Sequence, residues 1–134
     1  MSPTRSDRHR RARNERGAAS IELVILLPAL FAVMFLGMQA ALYYHARTIA
    51  IAAAQEGARA AGAEDATSTD GRRSARAYLT DVGGDALTSS RVSVTRTGTT
   101  ATATVTGRSL SVLPGWRPRV RQSASVTVER LTAP

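Results

Sequence analysis

The stretch LVILLPALFAVMFLGMQAALYYHA, residues 23–46, sets the architecture of the whole chain. Its 24 residues carry no formally charged side chain, and Glu22 and Arg47 bound it. About 20 apolar residues in a helix cross a hydrocarbon core about 30 Å thick, so this stretch is long enough to span a membrane. Pro28 and Gly37 fall inside it. Spans tolerate both residue types when neighbouring helices re-satisfy the freed backbone. Pro28 removes one intrahelical hydrogen bond and predicts a kink near the start of the span. Tyr43 and Tyr44 close the stretch as interface anchors, because aromatic rings favour the headgroup layer.

Arginine is densest just before this stretch. The chain has 134 residues and a net charge of +8, and all 18 basic residues are arginine. Arg5, Arg8, Arg10, Arg11, Arg13 and Arg16 precede the span against only Asp7 and Glu15, while Arg47 and Arg59 alone follow it closely. The positive-inside bias puts the N-terminus in the cytoplasm and the chain beyond residue 46 outside. A one-ended excess of charge points to a membrane flank before it points to nucleic acid. The lack of cysteine excludes disulfides, thiolate metal sites and a cysteine nucleophile. The rival at this stage is a cleaved secretory signal. Its apolar region runs about 7–15 residues, shorter than this stretch, although Ala50-Ile51-Ala52 offers a small-residue cleavage site. Arg10-Arg11 is a twin arginine without the rest of a twin-arginine export signal.

Glu22 is the most informative single residue. It lies five residues after Gly17, where the arginine-rich leader ends. A cut after Gly17 makes Ala18 the first residue and Glu22 the fifth, and i and i+4 share a helix face. A new α-amino group and a carboxylate then stand together at the membrane boundary, free to pair within one chain or between neighbours. An ionised carboxylate deep in a membrane costs about 2.5–3.5 kcal/mol, so pairing accounts for its presence. The simpler reading is a glutamate in a first helical turn, where the macrodipole favours it by about 0.3–1 kcal/mol. On spacing alone the simpler reading has the edge.

The stretch Glu15-Arg16-Gly17-Ala18-Ala19-Ser20-Ile21-Glu22-Leu23 resembles the processing region of type IV prepilins. With Pro28 in the span, Tyr43-Tyr44 at its end and Gln55-Glu56-Gly57-Ala58-Arg59-Ala60-Ala61 beyond it, the chain is similar to the TadE-like proteins. These are pseudopilins of the tight-adherence (Flp, type IVb) pilus machinery. Val92-Ser93-Val94-Thr95-Arg96, Val105-Thr106-Gly107 and Leu113-Pro114-Gly115 also resemble that family. The resemblance implies cleavage after Gly17 by a prepilin peptidase, Ala18 as the new N-terminus and Glu22 as the assembly glutamate. It implies pilus assembly proteins and other pilins as partners. One departure is plain: type IV pilins commonly begin with phenylalanine at the first mature position, where this chain has Ala18.

The rest of the sequence fits a pilin-like α+β architecture. Residues 1–17 read as a basic cytoplasmic leader, 18–46 as the transmembrane helix, 47–62 as a helical stalk and 63–134 as a small extracytoplasmic head. Alanine, the best helix former, dominates 46–62. Ala50, Ala54, Gly57, Ala58 and Ala61 form a stripe of small residues, which either lets another helix approach closely or faces solvent. Residues 63–70 read as a loop, and a short amphipathic helix is expected over 72–82, with Ala75, Tyr78, Leu79 and Val82 on one face and Gly83-Gly84 ending it. The period then changes to two. Val92 and Val94, then Ala101, Ala103 and Val105 across a Thr97-Gly98 turn, then Ala124, Val126 and Val128 predict a three-stranded antiparallel sheet. Large apolar side chains are few, so the head is expected to lean on the stalk or on a partner.

Trp116 with Arg117, Arg119 and Arg121 reads as an exposed loop between the second and third strands, its tryptophan packed against the sheet rather than on nucleic acid. The two histidines, His9 and His45, lie in the leader and at the end of the span. No nucleophile–base pair, metal-ligand spacing or phosphate-cradling loop can be assembled, so neither an enzyme nor a cofactor is expected. The function expected is that of a TadE-like pseudopilin or minor pilus component. The alternative is an unprocessed single-span envelope anchor or sensor with a small extracytoplasmic binding domain.

Overall fold

The computed structural model describes residues 5–131, with side chains from Gly17 onward; the arginine side chains of the leader lie outside the described residues. The fold is α+β. A long helix α1 (Arg5–Gly62) precedes α2 (Ser68–Tyr78), a π-turn (Leu79–Gly83) and three strands, β1 (Leu87–Arg96), β2 (Thr100–Ser109) and β3 (Arg119–Thr127). The strands form one antiparallel sheet in the order β1-β2-β3. The chain divides into two compact parts at Gly37/Met38.

In the first part, α1 is already helical from Arg5, ahead of the start expected at residue 18. Every side chain from Gly17 to Gly37 is exposed, including Leu23, Ile25, Leu30, Phe31, Met34 and Leu36. Exposed apolar residues therefore ring the helix on all faces. Such a helix suits lipid or a protein interior, not water.

In the second part, α1 changes character. Ala46, Ala50, Ala53, Ala54, Ala58 and Ala61 are fully buried, at the three- and four-residue spacing of one helix face. They pack on the inward face of the sheet, where β2 buries Ala101, Ala103, Val105, Gly107 and Ser109 at every second position. Valine is the largest side chain fully buried, at 105 and 120. The small-residue stripe is thus covered within the chain, by the sheet along most of its length and by the close approach of α2 at Gly57 and Ala61. The head does lean on this helix, which supplies about half of a core too small to stand on the sheet alone.

Two glycines set how closely the helices approach. A Cβ on Gly71 of α2 would meet Gly57 O at 2.6 Å and Ala61 Cβ at 2.7 Å. A Cβ on Gly57 would meet Ala75 Cβ at 2.9 Å. Beside this contact the Ser74 hydroxyl donates to Glu56 Oε1 at 3.2 Å.

The sheet follows its sequence pattern closely. Val92 pairs with Val105, Val94 with Ala103 and Ala103 with Ala124, which puts the apolar set on one face. On the outer face, the hydroxyl pairs Thr102–Ser125 and Thr104–Ser123 stand at 2.8 Å each. Thr97 closes the β1–β2 turn, its hydroxyl accepting from Thr99 N and Thr100 N. A bulge at Ser89, with φ +51°, shifts the register between Thr88 and Arg91.

Three expectations change. The short helix starts at Ser68, inside the segment read as a loop, because Thr67 and Asp70 form a reciprocal capping box. Val82 is exposed, since the π-turn winds wider than an α-turn and carries it off the face that Ala75, Tyr78 and Leu79 share. Trp116 is half exposed (51%) instead of packed on the sheet, whose inner face α1 already fills.

Candidate assembly and membrane interface

In the first part, Gly17, Ala18 and Glu22 lie on one helix, all three exposed. Among the described residues, nothing beyond the helix's own backbone and the chain neighbours comes within 4 Å of where a Cβ on Gly17 would sit. Ala18 and Glu22, four residues apart on α1, share a face. Pro28 lies inside α1, and the helix continues through it. With Leu23, Val24, Leu27 and Phe31 it lines a shallow apolar depression on the helix surface. This part offers a helix surface for lipid or for other helices.

In the second part, Tyr43 and Tyr44 meet edge to face, with ring centroids 5.9 Å apart and planes at 72°. Their surroundings differ. Tyr43 packs against the core of Ala46, Leu87, Val105 and Val120, whereas Tyr44 is 61% exposed.

The residue that sequence reasoning missed is Gln39. It is the one carboxamide within residues 23–46 and only 2% exposed. Its Oε1 accepts from Val112 N at 3.0 Å and from the Ser111 hydroxyl at 2.9 Å. Its Nε2 donates to Leu110 O at 3.3 Å. One side chain thus ties the β2–β3 loop to α1, one residue beyond Met38. The available signal was a polar amide in an apolar stretch. Such a group needs a partner, because an unsatisfied buried amide costs several times what a paired one contributes.

The far end of the head is closed by backbone. Glu129 N donates to Gly62 O at 2.9 Å, and Arg96 reaches the carbonyls of Ala63 and Ala66 just past the helix end. The Gly62 contact satisfies one acceptor that the C-terminus of α1 leaves open, and Arg96 holds the turn that follows. Asp70 is held below the ordinary carboxylate range, chiefly by the Thr67 hydroxyl at 2.7 Å and the Thr67 N–H at 2.8 Å, with Arg73 assisting and partial desolvation opposing. Among the described residues no group of three or more His, Asp or Glu side chains could hold a metal ion.

α1 is long and apolar enough to cross a membrane once. Residues 17–59 match the family model of TadE-like proteins, and the matched stretch begins at Gly17. No curated protein and no solved structure matches the chain.

Proposed function

We propose that this chain, TadE-like over residues 17–59, is a pseudopilin or minor component that acts in assembly of a tight-adherence (type IVb) pilus. The observation that carries this reading is the match itself, which starts at the glycine where a prepilin leader would end. The exposed apolar helix supports it, because a pilin's N-terminal helix must be stored in lipid and then packed against other helices.

In this reading a prepilin peptidase cuts after Gly17 and Ala18 becomes the N-terminus. The cut removes the turn that precedes Ala18, so the N–H groups of residues 18–21 lose their helical acceptors. A positive end is left on the helix, and the Glu22 carboxylate, one turn along, complements it within the chain or across to a neighbour. The arginine-rich leader keeps the N-terminus in the cytoplasm and the head outside. The head's work is contact with other pilus proteins.

The second reading, an unprocessed single-span envelope anchor, draws on one observation: α1 runs unbroken through the Gly17–Ala18 bond, which is not presented as an extended segment. N-terminal sequencing of the membrane-fraction protein, with a Gly17→Ala variant beside it, separates the two. A mature chain starting at Ala18, with cleavage lost in the variant, fits the pilin reading. An intact leader in both proteins leaves the anchor.

A further inference from the structure

The β2–β3 loop, residues 110–118, is a constructed feature and not slack chain. Its base is closed by Ser109 N donating to Pro118 O at 3.0 Å. Gln39 holds its first three residues. Pro114 and Gly115 then make a tight turn, with Gly115 at φ +77° and Trp116 N donating to Leu113 O. The product of this ordering is a half-exposed tryptophan, with Leu110 40% exposed and Arg117 exposed beside it. Rigid presentation of Trp116 to water alone has no stabilising return.

Charge accumulates at the same end of the sheet. Arg91, Arg108, Arg119 and Arg121 line one shallow depression there. Arg108 stands directly opposite Arg119, a like-charge cross-strand pair that is destabilising by itself. The nearby acids in sequence are Asp81 and Asp85, and among the described residues none of these arginines forms an ion pair. The depression at the opposite end is mixed in charge, with Glu64, Asp65 and Glu129 beside Arg96 and Arg130.

The loop's position along α1 is fixed by Gln39, which follows Met38, the last residue of the run exposed on every face. Residues 18–38 extend about 31 Å as a helix, the thickness of a hydrocarbon core. We infer that the loop is a second membrane contact. Trp116 seats in the headgroup layer, and Arg117, Arg119 and Arg108, with Arg91 and Arg121 behind them, bind the phosphates of an anionic lipid surface. Tryptophan favours that layer, and clustered arginines bind anionic headgroups. The inference rests on the single-span reading of α1 but on neither its orientation nor its processing.

The chain has one tryptophan, so its fluorescence reports on residue 116 without labelling. The full chain is reconstituted at high lipid excess in phosphatidylcholine vesicles with and without phosphatidylglycerol, using lipids brominated near the glycerol end of the acyl chain. Expected are a blue-shifted emission and a loss of about half of it to brominated lipid in anionic vesicles. Replacing Arg117 and Arg119 together by glutamate abolishes the gain that phosphatidylglycerol gives. Water-like emission that aqueous iodide quenches freely and brominated lipid leaves intact, in a chain that sediments with the vesicles, overturns the loop contact and leaves the span standing. Burial of Trp116 that disappears on dilution with lipid assigns the loop to a second copy and also overturns it. A chain that fails to enter the vesicles overturns the span and the loop contact together.

Discussion

Replacing Gln39 by leucine isolates what one amide does inside an apolar helix. Leucine keeps the side chain's size and raises the hydrophobicity of the run, so insertion into a membrane or micelle is not impaired. What is lost is local. Val112 N loses its hydrogen-bond acceptor, Leu110 O loses a donor, and the Ser111 hydroxyl keeps only its exchange with Leu113 at 3.0 and 3.1 Å. A buried donor left without a partner costs about 1–3 kcal/mol, and the Val112 N–H is the group most exposed to that penalty. At about 2 kcal/mol the equilibrium for loop opening moves by about 30-fold. Hydrogen exchange on the full chain in detergent reads this directly. Protection of Val112 and Leu113 should fall by about 10- to 100-fold, while Ala103, Val105 and Ala124 in the ladder change little. Unchanged protection at Val112 in Gln39→Leu would refute the claim that Gln39 holds the loop. An equal fall throughout the sheet would show a global unfolding unit in place of a local clamp.

Other substitutions probe the rest of the architecture. Gly71→Ala gains about 1 kcal/mol of helix propensity, yet its Cβ meets backbone and an alanine Cβ that no rotamer change relieves. A net loss of about 1–2 kcal/mol in denaturant unfolding is expected. Gly37→Ala, within α1 but with no neighbour among the described residues to meet its Cβ, should instead keep the propensity gain and be no less stable than the parent, by up to about 1 kcal/mol more. Thr67→Ala removes the side-chain half of the capping box and should cost about 1 kcal/mol, read as a lower midpoint in thermal unfolding. Asp70 is the titrating half of that box. Because its folded pKa is lowered, its contribution is present above the ordinary carboxylate range and is lost as pH falls below about 4 through the lowered value. Asp70→Asn should therefore flatten the acid limb of the stability profile, and an acid limb identical to the parent's would contradict this assignment.

What the sequence made legible follows from how local each signal is. The strands carry their own pattern: Val92, Val94, Ala101, Ala103 and Val105 alternate, and a register that keeps them on one face is the one observed. Thr67 and Asp70 were equally legible as a capping box, but a run of small polar residues reads first as a loop. The π-turn at Leu79–Gly83 has no such mark, and Gly83-Gly84 gave only the stop. The alanine stripe announced a close approach without naming its occupant, because alanine fits a neighbouring helix and a strand of alanines and valines alike. Of the site residues, Gly17, Ala18 and Glu22 are marked by spacing along one chain. The role of Gln39 depends on partners about 70 residues away, which no local pattern encodes.

The outer limit of the span shows the same contrast, and it can be measured. Charge alone extends the run to Ala46, just before Arg47. In the structure, residues 39–46 already divide between two environments: Gln39, Tyr43 and Ala46 face the head's core, while Tyr44 and His45 stay exposed. A helix face covered by the protein's own sheet and loop is not available to acyl chains, which predicts a lipid-facing length that ends near Met38. The absence of native cysteine makes single-cysteine scanning clean. In vesicle-reconstituted chain, cysteines at Phe31, Val33 and Leu36 should resist a membrane-impermeant maleimide. Cysteines at Tyr44 and His45 should react freely, with labelling rising about 10-fold or more across the boundary. If Tyr44→Cys is as protected as Leu36→Cys, the span reaches residue 46 as the charge pattern implies. The head would then have to tilt or part from residues 39–46 in the membrane, and the clamp at Gln39 would be broken there.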